Sequence, residues 1–363
     1  MLCPRRDQGL ATVQDSAIRQ EFSVTDPQAD FAQVYAGQPV LVTGADGFIG
    51  SHLVERLVRA GARVRAFTFY NSWNSLGWLA DVPESIRTAV EVFPGDIRDA
   101  ERVQKAVAGQ SFVFHLASLI AIPYSYSAPR SYVDTNIGGT LNVLEACRRS
   151  TSLIRLVHTS TSEVYGTARS VPITERHPLT GQSPYAASKI GADKMAESYH
   201  LSFQVPMVTA RPFNTFGPRQ TARAVIPTIL SQLLNGCDAL RLGTLTPTRD
   251  FNYVTDTAEA FLALGACAAS DGQTLNIGSG REWSIGQVAE LAMEVCGRQV
   301  PILPHEDRLR PPSSEVERLL ADNSQCVSLT GWQPEIDFHE GLARTANWIR
   351  SHLDRFDSNR YSQ

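Results

Sequence analysis

The sequence contains no CxxC pair: its six cysteines, Cys3, Cys147, Cys237, Cys267, Cys296 and Cys326, are scattered and none sits in a histidine pattern with metal-ligand spacing. That argues against a zinc site or a disulfide framework and leaves reduced thiols as the default. No apolar run exceeds strand length, so no membrane-spanning helix is expected. The opening MLCPRRDQGLATVQD also lacks the apolar centre of a signal peptide, and a soluble, cytoplasmic protein is expected. Positive charge is not in excess: 33 Lys and Arg against 37 Asp and Glu leave a net charge of -4. Nothing in that balance calls for nucleic acid or an anionic membrane as partner. Internal repeats and low-complexity tracts are absent. What remains is a 363-residue chain, 43% hydrophobic and 19% charged, able to bury a large core as one α/β unit or as two lobes sharing a cleft.

Residues 1–36 are polar and aperiodic and read as an N-terminal extension. From Pro39 the rhythm changes. The β-rich runs VLVTG, VRAFTF, VEVFPGD, FVFHLA, LIRLVHTS and PMVTAR alternate with helical stretches such as SHLVERLVRAG, DAERVQKAVAG and NIGGTLNVLEACRRS. Such alternation is the signature of βαβ units and a doubly wound parallel sheet covered on both faces. Beyond Pro212 it loosens into a helix near Ala224 to Asn235, a strand-like TLNIGS, a helix from about Ile285 to Cys296 and a terminal helix near His339 to Leu353. The expected division is a dinucleotide-binding unit over 37–212 with returning segments 249–278, and a smaller C-terminal lobe over 213–248 and 279–353.

Two motifs stand where chemistry would be done. Thr43-Gly44-Ala45-Asp46-Gly47-Phe48-Ile49-Gly50 follows a strand and opens a helix, so the backbone can turn tightly and offer free N–H groups to a pyrophosphate. Gly44, Gly47, Phe48 and Ile49 are therefore candidate cofactor residues in a Rossmann-type fold. The acid expected about 20 residues on, to hold a ribose 2′-hydroxyl, is replaced by Thr68. That position leaves the choice between NAD and NADP open. Asp96 and Ile97 after the third strand, and Leu116, Ala117 and Ser118 after the fourth, lie along the cofactor's expected path.

The second motif is split. HTSTSEVYG ends the fifth strand with hydroxyls and an acid, Thr161, Ser162 and Glu163, at the sheet edge where ligands bind. Capping of the next turn is the structural alternative. In YAASK, Tyr185 and Lys189 at i and i+4 share a helix face, and a nearby ammonium is expected to lower the phenol pKa toward neutrality. Asn136, inside a predicted helix, either braces this region or is an ordinary polar position, and Tyr165 reads as packing.

These motifs, with ARPFNTFGPRQ, resemble the extended short-chain dehydrogenase/reductases, specifically the nucleotide-sugar epimerase/dehydratase family, from about residue 39 to about residue 350. TSTSEVYG resembles the hexose 4,6-dehydratases and the UDP-glucuronate decarboxylases, whereas 4-epimerases usually lack an acid at Glu163. Tyr70 to Ser75 with Gly77-Trp78-Leu79 resembles dehydratases of nucleotide-activated N-acetylglucosamine in legionaminic-acid-type pathways. RPPSSEVERLLADNSQ is similar to these and to GDP-mannose 4,6-dehydratase.

The resemblance implies a lyase working on a nucleotide-diphosphate sugar. Tyr185 takes the 4-hydroxyl proton as hydride leaves C4 for the nicotinamide; Lys189 holds the ribose; Thr161 hydrogen-bonds the reacting oxygen. Glu163 then removes the C5 proton, the 6-hydroxyl departs as water, and hydride returns to C6. The acid that protonates the leaving hydroxyl is Glu163 itself or Ser162 through water. Pro212 would border the cofactor, and Ser118, Tyr124, Asn214, Arg219, Arg249 and Arg310 would meet the substrate, with Ser125 beside Tyr124. A homodimer through helices near Ser131 to Arg149 and Tyr185 to Phe203 is also implied. The competing readings are UDP-glucuronate decarboxylase, nucleotide-sugar 4-epimerase and, outside catalysis, a cofactor-sensing protein on the same fold.

Overall fold

The computed structural model describes residues 31–305 and 311–356. Most of the expected N-terminal extension, and Arg310, lie outside the described residues.

Seven strands form the main sheet: β1 (Pro39–Thr43), β2 (Arg63–Phe69), β3 (Glu91–Gly95), β4 (Phe112–His115), β5 (Arg155–Thr159), β6 (Met207–Pro212) and β7 (Thr274–Ile277). Their order is β7-β6-β5-β4-β1-β2-β3, and every pairing is parallel. The continuous apolar runs follow from that placement, because alternate residues serve opposite faces. Val40 and Val42 join one core with Leu53, Leu57, Phe261 and Leu264, while Leu41 between them joins another with Val103, Val143, Leu144 and Ala196.

One face is covered by α1 (Phe48–Arg59), the other by α2 (Ala100–Val107), α3 (Gly139–Arg148) and α4 (Pro184–Phe203). α5 (Val225–Leu234) comes next in the chain, and α6 (Val254–Ala266) packs beside α1. The long helix expected from Ser131 is interrupted: a wider π-turn, Val133–Gly138, precedes α3. The segment 249–278 returns to the main sheet from Val254 onward. Its first residues belong to strand Thr248–Tyr253, which pairs with Asn214–Phe216, Glu282–Ser284 and Arg318–Leu319 in a smaller sheet. Around that sheet α5, α7 (Ile285–Cys296) and α8 (Phe338–Arg350) enclose a separate core of Ile229, Leu233, Val288 and Leu342. Reciprocal bonds between Ser284 and Gln287 cap α7.

Register brings the strand ends level: Thr43 pairs with His115, His115 with His158, and Thr159 with Ala210. The chain order reverses between β1 and β4, so their carboxyl ends open a crevice there, the usual ligand position in such sheets.

Candidate active site

A cleft of about 1480 Å³ runs along these strand ends and under the smaller lobe. At one end Gly44 has φ +68°, and a Cβ there would sit 2.9 Å from the Ala117 nitrogen. Gly50 is tighter still, with its Cβ position 2.1 Å from the Gly44 carbonyl oxygen. The first turn of α1 can therefore approach β1 only without side chains. Gly47 begins α1 with no side-chain cap and no acidic residue in the first turn, leaving its N–H groups to the cleft. Phe48 and Ile49 line the same end. The Thr43 hydroxyl accepts the Leu116 and Ala117 N–H groups at 3.1 Å each, fixing the turn that presents Leu116, Ala117 and Ser118 to the cleft.

Asp96, Ile97 and Pro212 also line it. Arg98 grips the Asp96 carboxylate through its side chain and backbone N–H and holds that carboxyl below its usual pKa range. Thr68 is buried and its side chain does not line the cleft; Phe69 does, its N–H donating to Asp46 at 3.1 Å. Burial pushes the Asp46 carboxyl upward.

At the centre stand Thr161, Ser162, Glu163 and Tyr185. Ser183 caps α4 by accepting the Ala186 N–H at 3.1 Å and Pro184 opens it, which puts Tyr185 in the first turn. Thr161 caps the following turn. Its hydroxyl accepts the Glu163 N–H at 3.3 Å, capping the turn Ser162–Tyr165, and also hydrogen-bonds the Tyr185 phenol. Glu163 is half-buried on the cleft wall, and its charge is felt at Tyr185. Tyr132 packs edge-on against Tyr185 with ring centroids 6.3 Å apart.

The pKa expectation for this pair is corrected. Burial pushes the Tyr185 phenol upward, and the Glu163 charge adds to the rise, against the Thr161 hydrogen bond. Lys189 is buried beneath the cleft instead of lining it, and donates to the Thr159 carbonyl at 2.5 Å. Its ammonium is thus spent on the backbone, and burial lowers its own pKa to about 8 against the charge of Asp193.

At the far end Tyr124, Asn214 and Arg249 line the cleft, and the Asn214 Oδ1 is buried with no protein partner. Arg249 also pairs with Glu315 at 3.2 Å and donates to the Thr248 carbonyl at 2.9 Å. Two expectations fail here. Arg219, in a left-handed conformation (φ +69°), turns its guanidinium to Glu55 on α1 at 2.9 Å and does not line the cleft. Ser125 is fully buried, its hydroxyl donating to the Ile122 carbonyl at 2.6 Å. Asn136 braces the site: it accepts the Leu119 N–H at 2.8 Å and donates to the Leu119 carbonyl and the Ser188 hydroxyl. Tyr165 is buried packing.

The family model for GDP-mannose 4,6 dehydratase matches residues 41–345. This chain belongs to the nucleotide-sugar epimerase/dehydratase family of extended short-chain dehydrogenase/reductases. A dTDP-glucose 4,6-dehydratase of Actinoplanes sp. is 33% identical over 319 residues, covering 86% of this chain and 98% of that protein. The structure of a dTDP-glucose 4,6-dehydratase from Streptomyces venezuelae with NAD and TYD bound superimposes with TM-score 0.78 at 28% identity, over 87% of this chain and 98% of that one. A UDP-N-acetylglucosamine 4-epimerase from Methanobrevibacter ruminantium, in complex with UDP-N-acetylmuramic acid, gives TM-score 0.78 at 30% identity, over 87% and 99%.

Within this epimerase/dehydratase cleft one cation escaped the sequence reading. Arg223, just before α5, is exposed on the cleft wall and its charge reaches the Tyr132 phenol. Periodicity gives no sign of it, since the TAR segment is a loop; its place directly before a helix start was the available signal. Among the described residues no helix is long and apolar enough to cross a membrane, and no group of three His, Cys, Asp or Glu could hold a metal ion.

Proposed function

We propose that the protein is an NAD-dependent 4,6-dehydratase of a nucleotide-activated hexose of the UDP-N-acetylglucosamine type, forming a 4-keto-6-deoxy sugar nucleotide. The observation that carries this reading is the half-buried Glu163 carboxylate on the same cleft wall as the Tyr185 phenol, close enough for its charge to act on it. An epimerase, which only rotates a keto sugar, needs no such acid. The bare Gly44 turn and the uncapped start of α1 fit a dinucleotide pyrophosphate. NAD supplies a reversible hydride acceptor when bound.

The chain's own groups do the rest. Tyr185 accepts the proton of the sugar 4-hydroxyl, helped by the Thr161 hydrogen bond, which favours the phenolate. Lys189, held through the Thr159 carbonyl, supplies a fixed positive charge behind the tyrosine. Glu163 removes the C5 proton once C4 is a ketone, and either Glu163 or the cleft-lining Ser162 delivers a proton to the departing 6-hydroxyl. Arg223, Arg249 and Asn214 face the diphosphate and sugar.

A second reading, UDP-glucuronate decarboxylation, is favoured by Arg223, a cation on the cleft wall of the kind a C6 carboxylate needs. Incubating the protein with UDP-N-acetylglucosamine, GDP-mannose, dTDP-glucose and UDP-glucuronate and weighing the products separates them. Loss of water without net cofactor turnover is expected. Loss of carbon dioxide speaks for the decarboxylase, and an unchanged mass with altered C4 configuration for an epimerase.

A further inference from the structure

α4 carries a third polar residue on the face that bears Tyr185 and Lys189. Asp193 lies at i+8 from the tyrosine, one turn beyond the lysine, and all three side chains are buried. Its carboxylate is saturated. Oδ1 accepts from His158 Nε2 at 3.1 Å, and Oδ2 accepts from the Ser160 hydroxyl at 2.6 Å and from the Arg211 guanidinium at 3.0 Å and 3.3 Å. Lys189 takes the carbonyl of the intervening Thr159. Two residues of α4 thus grip His158, Thr159 and Ser160 in succession, immediately before Thr161, Ser162 and Glu163.

We infer that Asp193 is a positioning residue: it clamps the helix that carries Tyr185 to the strand end that carries Thr161 and Glu163, and it faces Lys189 with a fixed negative charge. The titratable and charged groups around Lys189 are Asp193 on its own helix, His158 on β5 and His115 on β4, while Arg211 on β6 faces Asp193. Burial drives both imidazoles toward the neutral form, and His158 Nδ1 has no protein partner, in keeping with Nε2 carrying the proton given to Asp193. Asp193 and Arg211 are then the charges that matter. A buried carboxylate with three side chains donating to it is held in one place, because releasing any of them leaves a costly unpaired group. Arg211 is itself fixed by donating to the Tyr165 hydroxyl at 3.0 Å. Asp193 opposes the burial that lowers Lys189 to about 8, so removing its charge lets that pKa fall further.

The inference rests on the dehydratase reading for its kinetic arm and stands apart from it in its thermal arm. In the wild type, turnover is expected to fall on the alkaline side as Lys189 loses its proton. Asp193→Asn, nearly isosteric, is expected to move that limb about one to three pH units lower. Asp193→Glu, which keeps the charge and disturbs the clamp, and Ser160→Ala, which removes one tether, are expected to lower kcat with the limb unmoved. For the thermal arm, folded Lys189 titrates below its unfolded value, so its contribution to stability rises with pH between about 8 and the ordinary lysine value. Against the wild type, Asp193→Asn is expected to begin that rise at lower pH in melting curves. An unmoved limb and an unmoved rise in Asp193→Asn overturn the inference, as does a limb in Asp193→Glu or Ser160→Ala that shifts as far. If the wild type turns over no nucleotide sugar, the dehydratase reading fails and the melting comparison alone decides on Asp193.

Discussion

The Thr161 hydroxyl accepts the Glu163 N–H at 3.3 Å and in the same arrangement hydrogen-bonds the Tyr185 phenol, so one small side chain links the proposed base for C5 to the proposed base for the 4-hydroxyl. A donor already polarised by a backbone N–H is a better donor in turn. Thr161→Val keeps the shape and removes both bonds. Because the lost bond favoured the phenolate, the Tyr185 pKa rises further and C4 oxidation is expected to slow across the pH range. Thr161→Ser, which keeps the hydroxyl, should retain the wild-type rate. A Thr161→Val profile superimposable on the wild type would remove Thr161 from the proton path.

Glu163→Gln separates oxidation from elimination. The amide cannot take the C5 proton, so water loss should fall about 10²–10⁴-fold. Oxidation at C4 needs only Tyr185, Thr161 and Lys189 and should persist. The readout is reduced nicotinamide accumulating on the protein, or solvent-independent exchange at C4, with no dehydrated product by mass. Dehydration at the wild-type rate would contradict the role given to Glu163.

Arg219 and Arg223, four residues apart, should behave in opposite ways. Arg219→Ala breaks a largely buried pair with Glu55, which keeps Arg59 as a second partner. The expected cost is about 1.5–3 kcal/mol of stability with KM unchanged. Arg223→Ala removes an exposed cation from the cleft wall. Its melting temperature should not move, while KM for the sugar nucleotide rises about ten- to a hundredfold, the equivalent of one charge-assisted hydrogen bond. Urea melts and initial-rate kinetics on the two variants decide; reversed outcomes would exchange their roles.

That contrast marks the limit of what the sequence could reveal. β1 and β4 were legible as apolar runs because both their faces are buried, β2, β3, β5 and β6 from their alternation with helical stretches, and the Gly44 turn because its spacing has few other uses. The strand-end Thr161 and Glu163 and the helical Tyr185 and Lys189 followed from position relative to those strands. The arginines did not, since the direction of each guanidinium is set by a left-handed residue at Arg219 and a helix start at Val225, neither of which leaves a periodic trace. α6 went unrecognised because VTDTAEAFLALGA is buried nearly all round and so lacks an amphipathic rhythm. Asp193 carries no signal in the sequence that sets it apart from other acids, and the upward push on Tyr185 depends on burial, which no spacing encodes.

Asp250 provides a pH test of how the smaller lobe is held. Buried at the junction of the lobe and the main sheet, it accepts the Ser279 N–H at 2.7 Å, the Ser279 hydroxyl at 2.6 Å, the Gly280 N–H at 2.9 Å and the Ala321 N–H at 3.1 Å. Burial outweighs these donors and raises its pKa to about 6. A carboxyl raised on folding binds more protons in the folded chain than in the unfolded one between its two pKa values. Its contribution to stability is therefore fully present below the unfolded value and is lost as pH rises through about 6. Asp250→Asn abolishes that slope. It also sets an amide N–H against the Gly280 and Ala321 donors, so the variant should lose at least about 1.5–3 kcal/mol at neutral pH. Melting curves from pH 4 to pH 8, at about unit intervals, compare the two slopes. A variant that keeps the wild-type slope would assign it to another acid whose carboxyl burial raises, such as the buried Asp256.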